Sequence, residues 1–258
     1  MNHGTGSALL LPPPRTSTAE LLGQAAAWRG YEVVGHVAGA DGRRTHWYGG
    51  PLAADRWGER LGLGLLEPGD DWLTTVPYAL LGRSVRLTTL GAARAALTER
   101  AFVKPPSAKI DSLPAAVYRD ASGLPDGLDA ATPVLVSGVV EFAAEYRLFV
   151  LDGEVRAGSR YAVYGRPDPA PLEPRVLDFA REVLDATADG LPSAVCLDVG
   201  RLVGGDWAVV EANMPWFAHC YAAEPDGVLD VVLRAAGPRA EVAGRDLPFL
   251  RGAGGVRV

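Results

Sequence analysis

The chain alternates short apolar runs with clusters of turn-forming residues, and the spacing of those runs predicts a mixed α/β protein. Ser17-Thr18-Ala19-Glu20 is a capping box, and Leu21, Leu22, Ala25 and Ala26 follow at helical spacing until Gly30. Ala8 to Leu11 and Tyr31 to Val37 flank this helix and read as strands. A β-α-β opening of this kind predicts a small α/β unit up to about Leu87. A second helix is predicted from Thr89 through Leu90, Ala93 and Leu97. The strand Ala101 to Lys104 comes next and is stopped by Pro105-Pro106. Ser107 to Ala131, rich in Ser, Pro, Gly and Asp, reads as a partly mobile stretch.

From Pro133 the pattern sharpens. Val134-Leu135-Val136 is a buried-strand run, and Asp152-Gly153 sits between Tyr146–Leu151 and Glu154–Tyr161 as a two-residue hairpin signal. Pro174 to Ala188 is an amphipathic helix, with Val176, Leu177, Ala180, Val183 and Leu184 on its apolar side. A second hairpin joins Ala194–Val203 to Trp207–Asn213 through Gly204-Gly205. Val228 to Ala236 is a helix with Asp226 as its cap and Gly237-Pro238 as its stop, and Arg251 to Val258 reads as a disordered tail.

Composition narrows the function. At 258 residues, 48% hydrophobic, with a net charge of -6, the chain can bury a real core and is no general nucleic-acid binder. Two cysteines, Cys196 and Cys220, exclude a disulfide-dense scaffold. Met1 to Pro14 has no basic segment before its apolar run, and no stretch approaches the ~20 apolar residues of a membrane span. A soluble cytoplasmic protein is expected. Of 25 basic residues only Lys104 and Lys109 are lysines, and Asn213 is the one asparagine outside the N-terminal tail. A residue type avoided almost everywhere survives where a replacement fails. Lysine is a compact charge that arginine's planar fork does not always replace on a phosphate. Two ordinary surface charges would look the same in the sequence.

The second hairpin carries the chemistry. A two-residue turn at Gly204-Gly205 pairs Val203 with Asp206 and, counted outward, sets Asp198 opposite Glu211, with Asn213 on the same face. Val195, Leu197, Val199, Val209 and Val210 bury the strands. Carboxylates about 5 Å apart repel by about 3 kcal/mol at an effective dielectric near 20, so the fold must compensate. Protonation of one acid, an intervening arginine or a bridging divalent cation would each do so. An all-oxygen donor set suits a hard ion such as Mg²⁺.

The first hairpin adds positive charge. Its turn predicts Glu145 opposite Arg160 and Arg147 opposite Gly158, on one face with Arg156. That surface suits phosphate oxygens, or equally a solvated sheet face with ordinary cross-strand pairs. No Walker A loop or dinucleotide fingerprint occurs. His3, His36, His46 and His219 show no zinc spacing with the cysteines, and Ser7 and Ser137 lie in no nucleophile elbow. Adjacent residues such as His219 and Cys220 rarely point at each other.

In this order, Ala101-Phe102-Val103-Lys104-Pro105, Val134-Leu135-Val136-Ser137, Glu145-Tyr146-Arg147-Leu148-Phe149-Val150, and Cys196-Leu197-Asp198-Val199 with Val210-Glu211-Ala212-Asn213 resemble the ATP-grasp superfamily. They look closest to bacterial proteins described as ATP-grasp domain proteins. The resemblance covers roughly Arg86 to Ala236, and Trp47–Leu52 and Leu66-Glu67-Pro68 look like that group's leading domain. It implies an α/β (α+β) ATP-grasp fold with an N-terminal pre-domain over 1–87, a small lid over 88–135 and an antiparallel-sheet core over 136–258.

By that resemblance the cofactors are ATP and Mg²⁺. Lys104 would reach the nucleotide phosphates, Val136 and Ser137 would form the adenine hinge, and Glu145 would belong to the nucleotide site. Asp198, Glu211 and Asn213 would hold magnesium, and Arg147 and Arg160 would face phosphate or acyl phosphate. Arg86 sits where many members carry an earlier phosphate-binding lysine. Two departures stand out: Ser137 replaces a common hinge glutamate, and no glycine-rich loop follows Lys104, so Lys109 would substitute for its contacts. The implied reaction is phosphorylation of a carboxylate by ATP and attack of an amine on the acyl phosphate, with a small molecule or peptide as substrate. Phosphoryl transfer needs metal, positive charge and positioning rather than a protein nucleophile. A nucleotide-binding protein without ligase activity and a kinase-like phosphotransferase are the competing expectations. Trp216, Phe217, His219 and Tyr221 would line an acceptor pocket or simply pack the core.

Overall fold

Burial explains the first layer of the computed structural model, which describes residues 6–106 and 112–252. Strand β1 (Ser7–Leu10) buries Ala8, Leu9 and Leu10 completely, and helix α1 (Ser17–Trp28) covers it with Leu22 and Ala26. The helix starts one residue earlier than the capping box predicts. Thr16 is the cap, its hydroxyl accepting from Ala19 N at 3.2 Å, because Ser17 already has helical backbone. The predicted strand from Tyr31 to Val37 shortens to β2 (Glu32–Val34), and β3 (Arg44–Trp47) follows. Strands β2 and β3 flank β1, and all three run parallel.

Four short elements lead out of this layer: α2 (Pro51–Trp57), β4 (Leu63–Leu65), α3 (Trp72–Thr75) and α4 (Tyr78–Leu81). A small sheet then forms from β5 (Val85–Thr89), β6 (Ala101–Lys104), β7 (Ala116–Tyr118) and β8 (Pro133–Ser137), in the order β5-β8-β6-β7. Helix α5 (Leu90–Ala96), capped by Thr89, closes one face of it with Leu90, Ala93 and Leu97 over Val103, Val134 and Val136. Strand β5 thus straddles the boundary at 87/88 expected from the sequence, and β7 lies inside the stretch read as partly mobile.

The large sheet takes β9 (Phe142–Leu151), β10 (Glu154–Val163), β11 (Arg166–Ala170), β12 (Ala194–Leu202) and β13 (Trp207–Asn213), ordered β11-β10-β9-β12-β13. Helix α6 (Pro174–Thr187) lays Val176, Phe179, Ala180 and Val183 against Leu148, Leu197 and Val199 on one face. Helix α7 (Pro225–Ala235) covers Phe149, Ala194 and Cys196 on the other and also packs on α1. Its cap is Glu224 rather than Asp226, since the Glu224 carboxylate accepts from Asp226 N and Gly227 N. Gly237-Pro238 belongs to a last strand, β14 (Ala236–Pro238), antiparallel to β4.

The C-terminal segment is therefore part of the first layer's core. Arg251, expected in a disordered tail, is anchored: its guanidinium binds Asp55 at 2.6 Å and Glu67 at 2.6 Å and lies over the Trp216 ring. Among the described residues, no helix is long and apolar enough to cross a membrane.

Candidate active site

The site lies where the small and large sheets meet. β8 ends at Ser137 and β9 begins at Phe142, so one short link joins the sheets. Gly138 N in that link donates to Ser84 O at 3.0 Å. Side chains alternate across each sheet, so the register decides what faces the junction.

Register brings the predicted acids together. Asp198 pairs with Glu211 and Cys196 with Asn213, putting all three predicted metal ligands on one face. The route differs from the two-residue turn. Leu202 N donates to Asp206 O at 2.7 Å, so Val203, Gly204 and Gly205 form a three-residue turn, with Gly205 at φ +99°. This pairs Val199 with Val209, and a bulge at Val210 then restores Asp198 to Glu211. Two departures from regular pairing cancel at the position that matters.

In the first hairpin they do not cancel. Bulges at Arg156 and Tyr161 pair Arg147 with Ser159, Glu145 with Ala162 and Arg160 with Tyr146. This corrects the predicted pairing of Glu145 with Arg160 and of Arg147 with Gly158. Arg160 therefore points from the opposite face, where its guanidinium holds Asp168 at 3.0 Å, and Arg156 reaches Asp230 on α7. Arg147 stays with the acids, because β12 pairs with β9 and sets Asp198 beside it.

The acids are compensated by cations. Asp198 is fully buried, and Arg147 grips it with two bonds, Nε at 2.9 Å and Nη2 at 2.6 Å. Lys104, at the end of β6, pairs with Glu211 across the junction. Asn213 Nδ2 donates to Glu211 at 2.8 Å and reaches Asp198 at 3.4 Å. Burial pushes the Asp198 carboxyl up, against the pull of Arg147. Burial acts the same way on Glu211, but the Lys104 ammonium and the Asn213 amide outweigh it and hold Glu211 below the ordinary range. Glu145 is raised by burial and by its acidic neighbours, despite a 2.8 Å bond from the Tyr161 hydroxyl.

Tyr161 and Tyr221 stack with ring centres 5.3 Å apart, and the Arg147 guanidinium lies 5.7 and 5.6 Å from the two rings. Tyr221 holds a left-handed backbone, φ +53°, which is strained for a bulky residue. Trp216 is core, with its Nε1 on Leu66 O at 2.9 Å, whereas Phe217 is 48% exposed and His219 meets Thr18 Oγ1 at 3.0 Å. Cys196 is buried and its thiol is pushed up by burial, so it offers no thiolate.

The small sheet sorts the remaining predicted residues. Lys104, Leu135 and Ser137 share the face turned to the large sheet, while Arg86 and Val136 share the other. Arg86 and Lys104 are therefore not brought together. Lys109 lies outside the described residues. Two residues had no sequence signal. Tyr161 joins the face only through its bulge, and Arg83, buried between the sheets, donates to Leu81 O, Val209 O and Val210 O at 3.0, 2.7 and 3.1 Å. Burial lowers the Arg83 pKa.

Residues 80–231, which contain both sheets and all of these contacts, match the model of an ATP-grasp domain family, the second family of its clade. The chain belongs to the ATP-grasp family. Its α/β architecture, with helices on several antiparallel sheets, is the ATP-grasp fold. D-cycloserine synthetase DcsG is similar at a TM-score of 0.54 and 15% identity, over 88% of this chain and 98% of that one. A RimK domain ATP-grasp protein from Sphaerobacter thermophilus reaches 0.51 at 15% identity, over 88% and 100%. D-alanine–D-alanine ligase from Bacillus anthracis reaches 0.51 at 11% identity, over 90% and 97%. At these identities the likeness is one of ATP-grasp fold. No curated protein matches the chain.

The donor set also bears on a metal. Asp198, Glu211 and Asn213 offer only oxygens from one face of two paired strands, which fits a magnesium ion that completes its shell with phosphate and water. No cluster of three or more His, Cys, Asp or Glu with metal-holding geometry occurs among the described residues. The site is thus a two-carboxylate one.

Proposed function

We propose that this ATP-grasp protein is an ATP-dependent carboxylate–amine ligase that works through an acyl phosphate and releases ADP. The observation that carries the reading is the meeting of Asp198, Glu211 and Asn213 with Arg147 and Lys104 at the junction of the two sheets. Membership in a nucleotide-using family and the names of the similar structures, two amino-acid ligases or synthetases among them, support it.

In this mechanism Lys104 swings from Glu211 to the nucleotide phosphates, and Ser137 and Val136 border the adenine. Magnesium, when bound, neutralises phosphate oxygens as charge moves during phosphoryl transfer. Asp198, Glu211 and Asn213 would hold it. Arg147, released from Asp198, turns its planar fork to the transferring phosphoryl group or the acyl phosphate. The substrate carboxylate attacks the γ-phosphorus, ADP leaves, and an amine displaces phosphate from the activated carbonyl. Closure of the small sheet over the large one excludes water from the hydrolysable acyl phosphate. Arg160 and Arg86 take part only if their segments turn, and Lys109 is a further candidate for phosphate contact. The substrates are proposed to be an amino acid or peptide carboxylate and an amine acceptor.

A second reading, nucleotide binding without ligation, has one observation in its favour: both acids already own a cation. Incubation with ATP, magnesium and pooled amino acids separates the two. Amine-dependent ADP release is expected from the wild type, with loss of that release in a folded Asp198→Asn variant. An unaltered rate in that variant refutes the site. Nucleotide binding without turnover favours the second reading, and phosphate transfer without an amine favours a kinase-like enzyme.

A further inference from the structure

Arg83 is a buried cation with no carboxylate to bind. It is 8% exposed, and each of its hydrogen bonds goes to a main-chain carbonyl: Leu81, Val209 and Val210. A charge taken out of water at that cost is kept where its donors do something a neutral residue cannot. The carbonyls it reaches are informative. β13 is the edge strand of the large sheet, so its outer carbonyls have no neighbouring strand. Val209 and Val210 form the bulge that changes the β12–β13 register.

That bulge decides the site. Continued regularly from the Val199–Val209 pair, the ladder would set Val210 opposite Asp198 and Glu211 opposite Leu197. A slip of one residue sends every following side chain to the other face. Glu211 and Asn213 would then point at the α6 side of the sheet, away from Asp198 and Arg147. The bulge inserts Val210 as the extra residue and returns both to the site face.

Arg83 also stands where the chain passes from one sheet to the other. Gly82, at φ +63°, presses on Leu202 and Ala208 of the second hairpin, and Ser84 accepts from the Gly138 link. We infer that Arg83 is a positioning residue: its fork clamps the Val210 bulge and so holds Glu211 and Asn213 on the face of Asp198. The inference deepens the ligase reading and rests on it for its consequence in metal binding, but not for the clamp itself.

The test compares wild type, Arg83→Met, Arg83→Lys and a Val210 deletion, each as the full chain. Deleting Val210 brings Glu211 opposite Asp198 with no bulge, so the clamp becomes dispensable. Amide hydrogen exchange reads the clamp directly. In Arg83→Met, faster exchange is expected in the 207–213 peptide and not in β9 or α6, with partial recovery in Arg83→Lys. Calorimetry with magnesium and a non-hydrolysable ATP analogue is expected to show about tenfold weaker magnesium uptake in Arg83→Met. The same substitution in the Val210-deleted chain is expected to cost much less. Unchanged exchange at 207–213, or a rise spread evenly over all peptides, overturns the inference. Absence of magnesium uptake in the wild type instead overturns the ligase reading, and the exchange arm still decides the clamp.

Discussion

Replacing Arg147 by methionine removes the partner of a carboxylate that has no solvent exposure at all. The Asp198 charge then has three ways out: Asn213 at 3.4 Å, a distant Lys104, or a proton. The proton sets a ceiling on the damage. From an unfolded value near 3.9, holding one carboxyl protonated at pH 7 costs about 4 kcal/mol, at about 1.4 kcal/mol per unit. That ceiling falls within the range of about 3–5 kcal/mol for breaking a buried pair from one side. The pH dependence follows. In the variant, the folded-state value of Asp198 lies above its unfolded value, so the penalty is absent below about pH 4 and grows as the pH rises. Urea unfolding followed by the fluorescence of the six tryptophans measures it. The stability gap between wild type and Arg147→Met is expected to reach up to about 4 kcal/mol at pH 7 and to narrow by up to about 3 kcal/mol by pH 5. Adding Asp198→Asn to the variant is expected to close most of the gap at pH 7. A gap constant from pH 5 to pH 7 refutes the argument, because Asp198 would then not be the ionised partner of Arg147.

Two further outcomes follow from the same geometry. Lys104→Met loses an ion pair whose side chains keep 14% and 29% exposure, so unfolding is expected to shift by less than about 1 kcal/mol while the KM for ATP rises; an unchanged KM removes Lys104 from the nucleotide site. Gly200→Ala drives its methyl into the Phe142 ring and within 2.9 Å of the Ala144 carbonyl oxygen, which cannot move without disturbing β9. Unfolding measurements are expected to show a loss of about 1–3 kcal/mol, and a neutral result refutes the close approach of β9 and β12 there.

The large sheet and its helices were legible in the sequence because local signals agreed: Asp152-Gly153 turns one hairpin, and Pro174 to Thr187 carries a clear apolar stripe. The fourfold constellation of Lys104, Asp198, Glu211 and Asn213 was legible for the same reason, each residue lying on a strand of recognisable pattern. Bulges were not. Nothing in Arg156, Tyr161 or Val210 marks an extra residue, so Arg160 was expected beside Arg147 and lies on the far face. The capture of Asp198 by Arg147 depends on β12 choosing β9 as a neighbour, a tertiary choice. Strands of three or four residues such as β3, β4, β7 and β14 carry too few positions for an alternation to register. The Thr16 and Glu224 caps were each displaced by one or two residues, within the usual reach of end effects.

The return of the C-terminal segment to the opening layer has a consequence for how the molecule is made. Leu9, Leu10 and Trp47 share a core with Val228, Leu229, Val232 and Ala236, and Arg251 ties down Asp55 and Glu67. The first layer to leave the ribosome thus waits for the last helix before its apolar side is covered, a contact of long sequence separation that slows assembly. The family-matched stretch 80–231 stops short of β14 and lacks β1 to β3. Expressed by itself, that stretch would leave Val228, Leu229 and Val231 facing water. Its nucleotide chemistry would rest on a scaffold missing one wall.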